Sequence, residues 1–160
     1  MSVPKKELHR VVPAVIIYNS EGKFLIVKRS SRLKIFPGKW HVPGGGLSMD
    51  DYMNLPSSSP KQKQWYYVIE RALRREVREE VGLEIGKPTY LLDVAFILPN
   101  GVPVIVLTYY AKYASGKFKS SEESVEMAWV SASEAKKYDL IEGIAGEIEM
   151  VDAILKAKKS

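Results

Sequence analysis

The chain reads as an α/β protein, a mixed β-sheet with helices on both faces. Three observations predict it. Two β-branched runs joined by a turn open the chain, an uninterrupted helix-forming stretch stands in its middle, and strand-like runs return before an amphipathic C-terminal stretch. With 160 residues, 46% of them hydrophobic, the chain is long enough for one core and short for two. Residues 1–160 are therefore read as a single domain.

The elements follow in order. "VVPAVIIYNSEGKFLIVKRS" divides at Asn19-Ser20-Glu21-Gly22, a turn composition, into the arms of a hairpin. "IFPGKWHVPGGG" has two prolines and four glycines, a loop interrupted at most by a short strand at Trp40 to Val42. Leu47 to Gln64 is polar and rich in serine and proline, an excursion from the core. Tyr66 to Val81 holds helix formers without proline or glycine, and Gly82 supplies the stop. "PTYLLDVAFIL" and "VPVIVLTYYAKYA", separated by "PNG", and then "VEMAWV", are strands. Ser133 to Tyr138 suits a short helix. In Ile144 to Lys158 the residues Ile144, Ile148, Val151, Ile154 and Leu155 recur at helical spacing.

Composition removes several classes of function. Without cysteine there are no disulfides, thiolate metal sites or cysteine nucleophiles, and two histidines, His9 and His41, do not make a histidine cage. Any metal is expected to be oxygen-ligated. No apolar run approaches the roughly 20 residues of a bilayer span, and "MSVPKKELHR" lacks a signal-peptide core, so a cytoplasmic protein with no membrane partner is expected. The net charge of +5 suits either simple solubility or an anionic partner.

The stretch "RREVREEVGL", Arg74 to Leu83, carries the chemistry. At about 100° per residue, Glu76, Glu79 and Glu80 fall within an arc of roughly 100°, beside the apolar stripe of Leu73, Val77 and Val81, while Arg71, Arg74 and Arg78 cluster on the far side. Glutamates at i and i+4 repel unless a positive group stands between them. A hard divalent cation is one such group. The other reading is a charged helix in which Glu79 pairs with Arg75. The glycines Gly44, Gly45 and Gly46 allow close backbone approach to phosphate or metal, although alone they mark only a turn.

Taken together, Gly45 and the later "REVREEVGL" resemble the signature of the Nudix hydrolases, a glycine and an upstream glutamate leading into Arg-Glu-apolar-any-Glu-Glu-any-Gly-apolar. "FLIVKRS", "VPGGGL" and "AWVSASEA" resemble the segments that flank it, so the resemblance spans nearly the whole chain. It implies an α/β/α sandwich. It also implies metal-dependent hydrolysis of a nucleoside diphosphate linked to another group: a nucleoside triphosphate, a nucleotide sugar such as ADP-ribose, or a dinucleoside polyphosphate. Glu76, Glu79, Glu80 and the carbonyl of Gly44 are carried over as ligands of Mg2+, with Mn2+ as the alternative, and Arg75 as the group that orients a glutamate. A general base is expected among Glu122, Glu123 and Glu126, of which Glu126 is chosen. Arg29, Gly45, Gly46 and Trp40 are the candidate substrate contacts, and His41 is read as a strand residue with a satisfied hydrogen bond.

The chain departs from that pattern in one place. The family usually has about 14 positions from glycine to arginine, whereas Gly45 and Arg75 are 30 apart, so about 16 residues are inserted in the region 48–64. Counted back from Arg75, the upstream glutamate falls on Tyr67. Asp50, Asp51 and Glu70 are its candidate replacements, with Glu70 read as a helper of Arg75 or of the loop and not as a direct metal ligand. The inserted segment, flanked by Tyr52, Trp65, Tyr66 and Tyr67, is the expected specificity element. Two other classes of function stay open: a weakly catalytic nucleotide-binding or sensing domain, and a nucleic-acid-binding domain, which the lack of an RNA-binding signature disfavours. A small-molecule nucleotide is the expected partner, and a homodimer is compatible with the reading.

Overall fold

Asn19 folds the first two apolar runs back on each other: its side-chain Oδ1 accepts from the backbone N–H groups of Glu21 and Lys23, both at 3.0 Å. In the computed structural model, which describes residues 2–160, these runs are strands β1 (Arg10–Tyr18) and β2 (Phe24–Arg29). Strand β3 (Trp40–His41) and helix α1 (Val68–Val81) follow, then β4 (Leu83–Ile85), β5 (Thr89–Ile97), β6 (Pro103–Gly116) and β7 (Ser124–Val130). Helices α2 (Ala132–Ala135) and α3 (Ile144–Lys159) complete the fold. Short 3-10 turns occupy Lys5–Glu7 and Met49–Asp51.

The sheet runs β3-β2-β1-β6-β4, with β5 added to β6 and β7 added to β2. β1 and β6 are parallel, and the other strand pairs are antiparallel, so the sheet is mixed. Alternation along the strands sorts the core into two layers. Ile16, Phe24 and Ile26 face α3 through Ile148 and Val151. Val15, Leu25 and Val27 face α1 through Leu73, Val77 and Val81. Each such fully buried side chain contributes about 1.5–3 kcal/mol. Among the described residues no helix is long and apolar enough to cross a membrane.

Two features differ from the expected elements. Leu83–Ile85 is a strand that the sequence did not announce, because three residues are too few to show a period. It begins directly after Gly82, whose φ of 73° ends α1 in the left-handed region. The polar excursion also has its own order. Ser57 Oγ gathers the carbonyls of Ser59, Gln62 and Gln64, and Trp65 stacks on Tyr52 at 5.2 Å while its indole N–H donates to the Leu55 carbonyl. The chain then enters α1 through Tyr67, whose φ is 60° and whose side chain is 82% exposed.

Candidate active site

The glycine loop takes the place of a strand beside β1. Val15 N–H donates to Pro43, Gly45 N–H to Pro13 and Leu47 N–H to Val11. Pro13 is tolerated inside β1 because its missing donor faces this loop and not the β6 ladder. In the resulting Ala14–Gly44 pair, the peptide groups of Gly44 turn away from β1. Its N–H meets Glu80 Oε2 at 3.0 Å. The approach is close: a Cβ at Gly44 would stand 2.7 Å from the Pro13 carbonyl, and one at Gly45 would collide with the Glu76 carboxylate.

Arg75 organises the outer half of the site. It pairs with both oxygens of Asp51, through Nε to Oδ1 and through Nη2 to Oδ2 at 3.1 Å. Its Nη1 donates to Glu76 at 2.8 Å and to Glu79 at 3.0 Å, and Nη2 reaches the Gly46 carbonyl at 3.4 Å. Asp51 is only 7% exposed. A Ser48 capping box, with Ser48 N–H donating to Asp51 Oδ2 at 2.8 Å, fixes it from the other side. Hydrogen bonding from Arg75 holds the Asp51 carboxyl below the ordinary carboxylate range, whereas burial pushes Glu76 up.

The inner half is Glu80, 6% exposed. Its Oε1 accepts from the hydroxyl of fully buried Ser124 at 2.5 Å. His41 Nε2 lies 3.2 Å from the same oxygen but out of line, and has no hydrogen-bond partner among the described residues. The expected satisfied histidine is therefore corrected: its Nε2 stands beside Glu80 but outside hydrogen-bonding geometry.

The structure brings Glu76, Glu79, Glu80, Arg75, Gly44, Gly45 and Gly46 to one place. Gly46 also lies against Arg10: a Cβ there would be 3.0 Å from Arg10 Nη2. Other candidates have other partners. Glu70 bonds Arg74 at 2.8 Å, so the acid that meets Arg75 is Asp51. Arg74 is correspondingly not an outward charge, since it also donates to the Ile85 and Gly86 carbonyls. Trp40 is 9% exposed, packed edge-on against Tyr138 at 4.9 Å within the α3 layer. Its ring is core, which corrects the expected substrate contact. Arg29 donates to the Ile35 and Phe36 carbonyls and so holds the loop after β2. Glu126 stands opposite Lys28, 3.5 Å from its ammonium, and projects with the Ala128 set toward α3. That is the face away from α1, and it removes Glu126 from the carboxylate cluster. Glu123, on the loop that leads to Ser124, accepts from Ser30 N–H through its carbonyl, and its charge acts on Arg29.

Oxygen donors of the right hardness for a divalent cation are present, but among the described residues they are not gathered into a ready group of three. Arg75 stands between Glu76 and Glu79. Glu80 keeps a lone pair on Oε2 beyond its bond to Gly44. The donor set fits such an ion once Arg75 gives up Glu76 or Glu79 while keeping Asp51.

A family model described as NUDIX domain matches residues 7–55 and 60–150, its break falling inside the polar excursion. The chain is 30% identical over 142 residues to the nucleoside triphosphatase NudI of Klebsiella pneumoniae (strain 342), across 82% of this chain and 88% of that one. Among solved structures, a MutT protein from Methanosarcina mazei Go1 superposes with a TM-score of 0.70 at 25% identity, covering 96% of this chain and 99% of that one. The NUDIX domain of Shewanella oneidensis NrtR, complexed with ADP ribose, superposes with a TM-score of 0.72 over 96% and 94% of the two chains. At 17% identity this second likeness concerns the fold alone.

Proposed function

The chain belongs to the Nudix hydrolase family, and on that premise we propose that it cleaves a pyrophosphate bond of nucleoside triphosphates with the help of Mg2+, or Mn2+ in its place. The observation that carries this reading is the clamp of Arg75 on Asp51, which positions Glu76 and Glu79 beside the glycine loop. Triphosphates are preferred over nucleotide sugars because the NudI relatives are nucleoside triphosphatases and match over most of both chains.

Glu76, Glu79, the open lone pair of Glu80 and the Gly44 carbonyl would hold the ion. When bound, it supplies neutralisation of the polyphosphate and acidification of water. The protein's own part is positioning. Asp51 fixes Arg75, Arg75 sets the rotamers of Glu76 and Glu79, and Ser124 with Gly44 fixes Glu80. Glu123 takes over from Glu126 as the acid offered for proton abstraction, since its charge and that of Glu80 both act on Arg29.

Release of pyrophosphate or phosphate from a nucleotide panel, with and without Mg2+, tests the proposal. Turnover that needs the ion and falls by orders of magnitude in Glu79→Gln supports it, and metal-independent or absent turnover overturns it. A second reading, binding without cleavage, is favoured by one observation: the acids are not pre-gathered. Tight nucleotide binding with no product would establish that reading.

A further inference from the structure

His41 carries a polar atom that the fold itself does not use. Its side chain is 10% exposed, and Nε2 has no hydrogen-bond partner among the described residues. A buried donor left unmade costs stability, so a structure that keeps one needs a reason. Packing does not supply it. An apolar side chain of the same volume would fill the place opposite Val27 in the β2–β3 ladder without that cost.

The surroundings of Glu80 show what this nitrogen faces. Oε2 of Glu80 accepts from the N–H of Gly44 at 3.0 Å, and Oε1 accepts from the hydroxyl of Ser124 at 2.5 Å. Each carboxylate oxygen can accept twice. One place on each is therefore open, and His41 Nε2 stands 3.2 Å from Oε1, near enough in distance and wrong only in direction. Val27, across the ladder from His41, packs in the α1 layer, so the ring lies on the same side of the sheet as Glu80. A turn of the Glu80 carboxylate would bring Oε1 into line.

We propose that His41 is a positioning residue for Glu80, donating from Nε2 to Oε1 when Oε2 takes up the divalent cation. The inference rests on the metal-assisted reading above and adds a residue to it. The two open places are complementary: the one on Oε2 is left for the cation, and the one on Oε1 for the histidine. Outer hydrogen bonds of this kind orient a ligating carboxylate and raise the affinity of the site. His41 touches neither the ion nor the substrate and acts through Glu80 alone. Because the hydrogen bond forms with the loaded site and not before it, its free energy favours the loaded state and leaves the fold without it unchanged.

The test is calorimetric titration of Mn2+ into the protein, with and without a non-hydrolysable triphosphate, together with thermal melting in a chelator. His41→Leu removes the donor at similar volume. Its Mn2+ affinity should fall about 10- to 100-fold, while the chelated protein melts at or above the wild-type temperature. His41→Gln brings an amide donor to about the reach of Nε2 and should recover most of the affinity. His41→Asn, shorter by one methylene, should not, and this pair of amides serves if His41→Leu fails to fold. Unchanged Mn2+ affinity in the Leu and Asn variants, or a loss of affinity matched by a loss of melting temperature in the chelator, would overturn the assignment while leaving the hydrolase reading intact. A wild type that binds no Mn2+ in either condition would overturn the metal-assisted reading itself, and the role of His41 with it.

Discussion

Asp51 and Arg75, 24 residues apart in the chain, meet as a buried carboxylate and a half-buried guanidinium, and this pair sets the orientation of Glu76 and Glu79. Asp51→Asn keeps the volume but removes the charge that Arg75 answers. Activity should fall about 10- to 100-fold, as it does when groups that orient ligands are removed, with a loss of about 1–3 kcal/mol in stability. Asp51→Glu restores the acid type of the family pattern and should recover part of both. Steady-state kinetics and urea midpoints check the pair.

Gly44→Ala and Gly45→Ala should fail differently. A Cβ at Gly44 meets the backbone of Pro13 and Ala14, which cannot move without distorting β1, so the protein should lose about 1–3 kcal/mol. At Gly45 the obstacle is the far end of the Glu76 side chain, which can rotate away. That variant should melt within a few degrees of the wild type yet lose most of its turnover. Comparable melting losses in both would show that the Glu76 contact is rigid.

Two carboxyls give opposite pH slopes. Asp51 has a depressed folded-state pKa, so its contribution is complete above the ordinary aspartate value of about 3.9 and is lost as pH falls through the folded value. Glu147 has a raised one, so the folded state holds its proton longer than the unfolded chain and stability declines as pH rises past about 4.3. Urea midpoints between pH 3 and 7 should show the acid-side loss flattened in Asp51→Asn and the rise-side decline flattened in Glu147→Gln.

Glu79 and Glu80 separate chemistry from structure. Glu79 is exposed, and Glu79→Gln should cost turnover but little stability. Glu80 is buried and accepts from Gly44 and Ser124, so Glu80→Gln should lower both turnover and melting temperature. Calorimetric titration with Mg2+ or Mn2+ should show weaker binding in each variant.

The strands and helices with a clear period were legible in the sequence, and the mixed sheet with a helix layer on each face followed from their order. The acid partner of Arg75 was legible only from one direction. Counted forward from Gly45, the sixth position is Asp51; counted back from Arg75, the register is broken by the insertion and lands on Tyr67. Glu126 was misread because a bulge between Lys28 and Arg29 sets which acid of the β7 approach faces α1, and composition carries no trace of a bulge. Trp40 beside a glycine loop looks the same whether it stacks on a base or fills a core, until Tyr138 is found against it.

The inserted segment leaves the scaffold immediately after Asp51, which Arg75 fastens, and closes on itself before α1, where Trp65 is held by the segment's own Tyr52 and Leu55. Its length is consequently uncoupled from the placement of the acids, because everything that aligns Glu76 and Glu79 lies outside it. Doubling such a loop costs only about 0.6 kcal/mol in closure entropy. The enzyme thus has a socket beside its reaction centre in which segments of different size can be exchanged without retuning the chemistry, a ready place for acquiring a new substrate range or for attaching a reporter that senses occupancy.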